Sequence, residues 1–154
     1  MMKKNGRDGL SLIELMITLV VLAVVARAGF LALNPAGQIA GARNSQRVSY
    51  LQVIVLAIRE NMASHTGQIF SCGAGPLPTS TKKIASGAGN YDIASCLTAY
   101  GLAVMPFDPT ASGAHYASSL DYDTGFNVVF NASTSQVTLS APSAELGKSI
   151  SLTR

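Results

Sequence analysis

Two ionisable residues stand inside the longest apolar run of this 154-residue chain, Glu14 near its start and Arg27 near its end. A charge placed in hydrocarbon costs several kcal/mol unless it is paired or neutralised, so each needs a partner. The other residues with chemical potential are scattered. Cys72 and Cys96 have no further Cys or His at metal-ligand spacing. His65 and His115 stand alone, without a cysteine or acid at catalytic spacing. Neither a Gly-Lys-Ser/Thr phosphate loop nor a Gly-x-Ser-x-Gly elbow occurs. Asp121 and Asp123 set oxygens at alternating positions, as half of a calcium loop would. No acidic ligand follows them, and Asp-Thr-Gly is also ordinary hairpin-turn chemistry. Asn131-Ala132-Ser133 matches a glycosylation acceptor, with a turn between strands as the simpler explanation. This inventory argues against an enzyme and for no cofactor, with Asp121 and Asp123 the sole candidates for a calcium ion.

The elements that must position Glu14 and Arg27 are easily read. Residues 1–9 form a basic leader in which Lys3, Lys4 and Arg7 outnumber Asp8. The run from 10 to 33 is apolar and, as helix, long enough to cross a ~30 Å hydrocarbon core. The leader holds two of the three net positive charges, so it reads as a topogenic signal that keeps the N-terminus cytoplasmic and sends the rest outward. Nucleic-acid binding is not indicated. Both cysteines then lie in the exported part, where a Cys72–Cys96 disulfide is the default and two buried free thiols the alternative.

The stretch Gly9-Leu10-Ser11-Leu12-Ile13-Glu14-Leu15-Met16-Ile17 resembles the processing site of type IV prepilins and type II secretion pseudopilins. The resemblance implies that a membrane prepilin peptidase and methyltransferase cuts between Gly9 and Leu10 and N-methylates Leu10. It also implies that Glu14, the fifth residue of the mature chain, pairs with the freed amine of an adjacent copy during assembly. Identical subunits in a helical filament, an inner-membrane assembly platform and, before assembly, the membrane itself are then the partners. The location expected is a single-pass span of the cytoplasmic membrane and later a surface pilus serving adhesion, motility or DNA uptake. A pseudopilin of a type II secretion or competence system is the nearest alternative, and major pseudopilins bind calcium in the region of Asp121. Two readings lie outside the family. One is an exported binding or enzyme domain behind an ordinary signal peptide cut after Ala26-Arg27-Ala28, and the other is a plain single-span anchor.

Downstream, Asn34-Pro35 predicts a kink or break, or a new helical segment capped by Asn34 with Pro35 first. Residues 34–63 read as the amphipathic half of the long helix, with a stripe of Val48, Leu51, Val55, Ile58 and Met62. Arg43 and Arg47 form a like-charge i,i+4 pair expected to face solvent or a partner's acids. The helix should stop near Gly67. Residues 68–90 read as loop, 91–100 as a short helix, and Pro106 to Pro109 as an extended turn. Strands are expected at 115–121, 126–130 and 136–139 with a turn at 123–125, and residues 141–154 form a fourth strand or lie loose. In domain terms, 1–9 is the removed leader, 10–33 the transmembrane and assembly helix, and 64–154 the globular part, with 34–154 exported. The fold class expected is α+β: a long N-terminal α-helix, transmembrane in its first half, packed by its second half on a small antiparallel sheet of three to four strands, as in the pilin fold.

Overall fold

A computed structural model describes residues 11–154, so the leader and the Gly9–Leu10 junction lie outside the described residues. Helix α1 runs over Leu12–Leu33. Ser11 caps it, its Oγ accepting the Glu14 N–H at 3.3 Å. Ser11 and Glu14 thus have the spacing of a capping box and show its serine half, which is a purely local reason for an acid at the third helical position. At 22 residues the helix is about 33 Å long, enough to cross a bilayer core. Asn34 ends it in the left-handed region, at φ 40°. The same residue opens α2, Pro35–Ser64. Its Oδ1 accepts the Gly37 N–H at 3.2 Å and its carbonyl the Gln38 N–H at 3.2 Å. Proline at the first position of a helix gives up only an N–H that would be unpaired anyway. A Cβ on Gly37 would come within 2.6 Å of the Asn34 amide nitrogen, so a larger residue there would make the capping side chain shift.

One compact unit runs to Gln38 and a second from Ile39 to Arg154. In the second, α2 buries Asn44, Arg47, Leu51, Ile54, Ile58 and Asn61, a regular alternation of three and four. Of the stripe expected, Leu51, Val55 and Ile58 are buried, whereas Val48 is exposed and Met62 only half-buried, so the buried face extends instead through Arg47, Ile54 and Asn61. Its lower part lies on an antiparallel sheet of five strands, β1 Lys82–Ala85, β2 His115–Ser118, β3 Asp121–Asn131, β4 Gln136–Ala141 and β5 Ile150–Thr153. Their order is β1-β3-β4-β5, with β2 also paired to β3. Leu51, Ile54 and Ile58 meet Ile84, Phe126, Val128, Val137 and Leu139 in one core, closed at the side by Ile93, Leu97 and Met105 from the connecting segment. The long helix followed by this sheet is the α+β arrangement expected.

Two details of the sheet depart from expectation, and a third settles an open alternative. Strand β1 falls in the stretch read as loop: only Ile84 and Ala85 are apolar and buried, too short a pattern to signal a strand. Asp123-Thr124-Gly125 is not a turn but the middle of the eleven-residue β3, and the reversal lies at Ser119-Leu120 instead. Thr124 is fully buried and donates to the Ile84 carbonyl at 2.7 Å, an interaction only the neighbouring strand supplies. Gly125 keeps a left-handed φ of 70°, and a Cβ on it would meet that of Ala111 at 2.9 Å, so glycine admits the passing 108–111 segment. Third, residues 150–153 do form a final strand, pairing Thr138 with Thr153 and Leu139 with Leu152.

Cys72 and Cys96 are disulfide-bonded across a separation of 24 residues. The bond ties the segment after α2 to a single helical turn at Ala94–Leu97, α3. The chain-entropy estimate for so long a loop is about 3.5 kcal/mol. Cys72→Ser in the full chain is therefore expected to lose about 3 kcal/mol of unfolding free energy. A urea midpoint unchanged from the parent, on reducing as well as non-reducing samples, would show the bond to be inconsequential.

Candidate functional site: the uncovered N-terminal helix

Helix α1 exposes every described side chain from Ser11 to Phe30. Leu12 is 76% exposed and Phe30 71%. An apolar surface of this extent, on all sides of one helix, is stable only against lipid or other apolar helices. Among the described residues it is the one helix long and apolar enough to cross a membrane. Its single hydroxyl beyond the cap, Thr18, is satisfied internally by the Leu15 carbonyl at 2.8 Å, as hydrocarbon surroundings require.

Glu14 and Arg27 are the only ionisable side chains on this helix, and neither forms an ion pair among the described residues. Arg27 could not find one locally. Its neighbours at three and four positions, Ala23, Val24, Phe30 and Leu31, are all apolar. Both charges must therefore be met from outside the helix that carries them.

The remaining candidates lie elsewhere and do not converge. Asp121 is exposed and faces His115, with His115 Nε2 3.1 Å from its Oδ1. Asp123 takes an ion pair from Lys83 and the Gly125 N–H at 2.9 Å. The two carboxylates thus turn to separate partners. Among the described residues no three His, Cys, Asp or Glu side chains gather as a metal site. A cleft of about 670 Å³ opens beside Arg59, Met62, Ile69, Phe70 and Phe130. No histidine or cysteine lines it, and Ser135 is its only hydroxyl.

A cluster that sequence reasoning missed sits at the other end of the α2 stripe. Arg47 is fully buried, not facing solvent or a partner's acids, and grips Asp108 by two bonds, Nε to Oδ2 at 2.7 Å and Nη2 to Oδ1 at 3.0 Å. It also donates to Asn44 Oδ1 at 2.8 Å, Thr110 Oγ1 at 2.5 Å and Glu145 Oε2 at 3.0 Å. Arg43 reaches the same Glu145 with Nε at 2.8 Å. The like-charge pair is thus held together by two acids of its own chain. Asn44 completes the clasp by exchanging hydrogen bonds with the Glu145 backbone, 2.8 Å out and 3.0 Å in. Burial pushes the Asp108 carboxyl up. Hydrogen bonds from Arg47 and from the Thr110 and Ala111 N–H groups outweigh that and leave it below the ordinary carboxylate range. Hydrogen bonds from Arg43, and then from Arg47, hold Glu145 down to about 2 from an ordinary 4.5. The signal available in the sequence was Asp108 between two prolines, but nothing there named Arg47 as its mate.

A group with a lowered folded pKa adds stability above its ordinary pKa and loses it as the pH falls through the folded one. The domain should therefore soften between pH 4.5 and about 2 as Glu145 takes up its proton. Urea midpoints by circular dichroism across that window should fall for the parent and fall less for Glu145→Gln. Parallel curves would deny the carboxylate this part.

Residues 4–26 match the family model described as the prokaryotic N-terminal methylation motif. No curated protein and no solved structure matches the chain. The matched segment contains the Gly9–Leu10 junction, Glu14 and most of the uncovered apolar helix. Residues 4–26, with an early acid and the start of a lipid-length helix, thus carry the prepilin-type methylation motif found in type IV pilins and pseudopilins.

Proposed function

We propose that this chain is a structural subunit of the type IV pilin class that polymerises into an extracellular filament, and not an enzyme. The observation that carries the proposal is that the methylation motif runs into a helix of lipid-crossing length whose described side chains from Ser11 to Phe30 are all exposed. In this reading residues 1–9 are removed after Gly9, Leu10 becomes the methylated N-terminus, and 10–33 anchors the subunit in the cytoplasmic membrane. An assembly platform then extracts it. Polymerisation exchanges lipid contacts for contacts between α1 helices, and the Glu14 carboxylate meets the Leu10 amine of a neighbour. Residues 34–63 lead into the exported part, and the sheet and loops of 64–154 face outward for adhesion, motility or DNA uptake.

Intact mass spectrometry of the mature protein tests the processing. The expected N-terminus is N-methylated Leu10. A mature chain beginning at Gly29 would mean an ordinary signal peptide and would end the proposal.

A further inference from the structure

We infer that Arg27 of one copy pairs with Glu14 of another, and that this pair sets the axial stagger between parallel α1 helices. The inference rests on the polymer reading above and adds a second contact to it. Glu14 is the only acid on the described part of α1, so for a buried Arg27 it is the one carboxylate within the apolar layer. Its two oxygens can accept from an amine on one side and a guanidinium on the other.

The geometry makes the pairing directional. Thirteen positions separate Glu14 from Arg27, which is about 20 Å along the axis and about 140° around it. Copies inserted by one topogenic signal are parallel, so they bring these residues level only when displaced by that ~20 Å. The angular separation directs the two charges to different neighbours. A reciprocal antiparallel dimer, which needs both on one face, is disfavoured. Each contact instead leaves Arg27 of one copy and Glu14 of the other available for the next subunit. A heterologous contact of this kind does not close, and it propagates as an open polymer. The charge placement thus specifies a filament and its register together, because any other offset buries unpaired ions.

Ile17 and Phe30 keep the same thirteen-residue interval and both are exposed, at 58% and 71%. They lie one turn beyond Glu14 and Arg27 on the corresponding faces. In isolated filaments of the full-length Ile17→Cys/Phe30→Cys chain, mild oxidation should produce a ladder of covalent multimers on a non-reducing gel. Each single substitution should give no ladder. Adding Arg27→Leu should cut the ladder at least tenfold, and Arg27→Lys should retain it. A ladder unaffected by Arg27→Leu, or cross-linking in the single variants alone, overturns the inference. Should the thiol-bearing chain fail to polymerise, helical reconstruction of unaltered filaments decides the matter. A guanidinium within about 4 Å of a neighbour's Glu14 carboxylate supports the pair, and any larger separation refutes it. Filaments without this stagger overturn the pairing alone, whereas an unaltered chain that forms no filaments overturns the polymer reading as well.

Discussion

Asp108→Ala should destabilise the unit from Ile39 to Arg154 by about 3–5 kcal/mol, the cost of leaving one member of a buried ion pair behind. Arg47 is wholly excluded from solvent, and two of its five N–H donors point at Asp108. Deleting the carboxylate leaves a guanidinium that can neither deprotonate nor reach water. The loss is large beside the roughly 5–15 kcal/mol of a typical domain. The damage should also be local in origin. Asp108 Oδ1 organises the Thr110 and Ala111 N–H groups at 2.9 and 3.0 Å, so the segment beneath Gly125 loosens with it. Chemical denaturation of the full chain in detergent measures the loss. Replacing both partners, Arg47→Met with Asp108→Leu, should recover much of it, since an apolar pair of similar volume needs no desolvation to be repaid. A single Asp108→Ala variant as stable as the parent would show that Arg47 has another sufficient anchor, Glu145 being the candidate at 3.0 Å.

Glu14→Ala should leave leader removal largely intact yet lower filament yield by at least about 100-fold. In the proposed polymer the carboxylate is the counter-charge for cations of neighbouring copies, and on that reading its removal strands them. At roughly 3 kcal/mol per stranded ion, each subunit contact weakens by more than two powers of ten. The monomer should be nearly indifferent to the change, because Glu14 makes no side-chain ion pair among the described residues. Its backbone cap uses only its N–H. Sheared filaments quantified against the membrane-bound pool give the measurement, and Glu14→Gln separates charge from shape. If Glu14→Gln assembles like the parent, the acid serves only as a favourable residue near a helix N-terminus.

Much of this molecule is legible in one dimension because its causes are local. An apolar run of lipid-crossing length with a serine cap before it makes α1 wherever it is placed. Asn34-Pro35 must interrupt the helix, since the proline ring constrains the residue before it and Asn tolerates the left-handed cap. Alternation in Phe126–Phe130 and Gln136–Leu139 is enough to pair β3 with β4. The acid in the apolar run stands out by its cost alone.

The parts that escaped such reading depend on partners far away along the chain. Lys82-Lys83 looks like solvated loop until β3 arrives to pair with it and Asp123 to neutralise Lys83. Asp123-Thr124-Gly125 carries turn chemistry, yet Ile84 on one side and the 108–111 segment on the other keep it within a strand. Arg43 and Arg47 repel in isolation, and their acids come from 61 to 102 residues later. Local energies of a few tenths of a kcal/mol, such as turn propensity or an i,i+4 repulsion, yield to a buried charge-assisted bond worth several times more. The sequence by itself thus determined where the chain is greasy, where it must break and which residue is out of place in hydrocarbon. Only the tertiary structure decided which face of α2 is buried and what a buried arginine holds, because those answers are pairwise and no window along the chain contains both members of the pair.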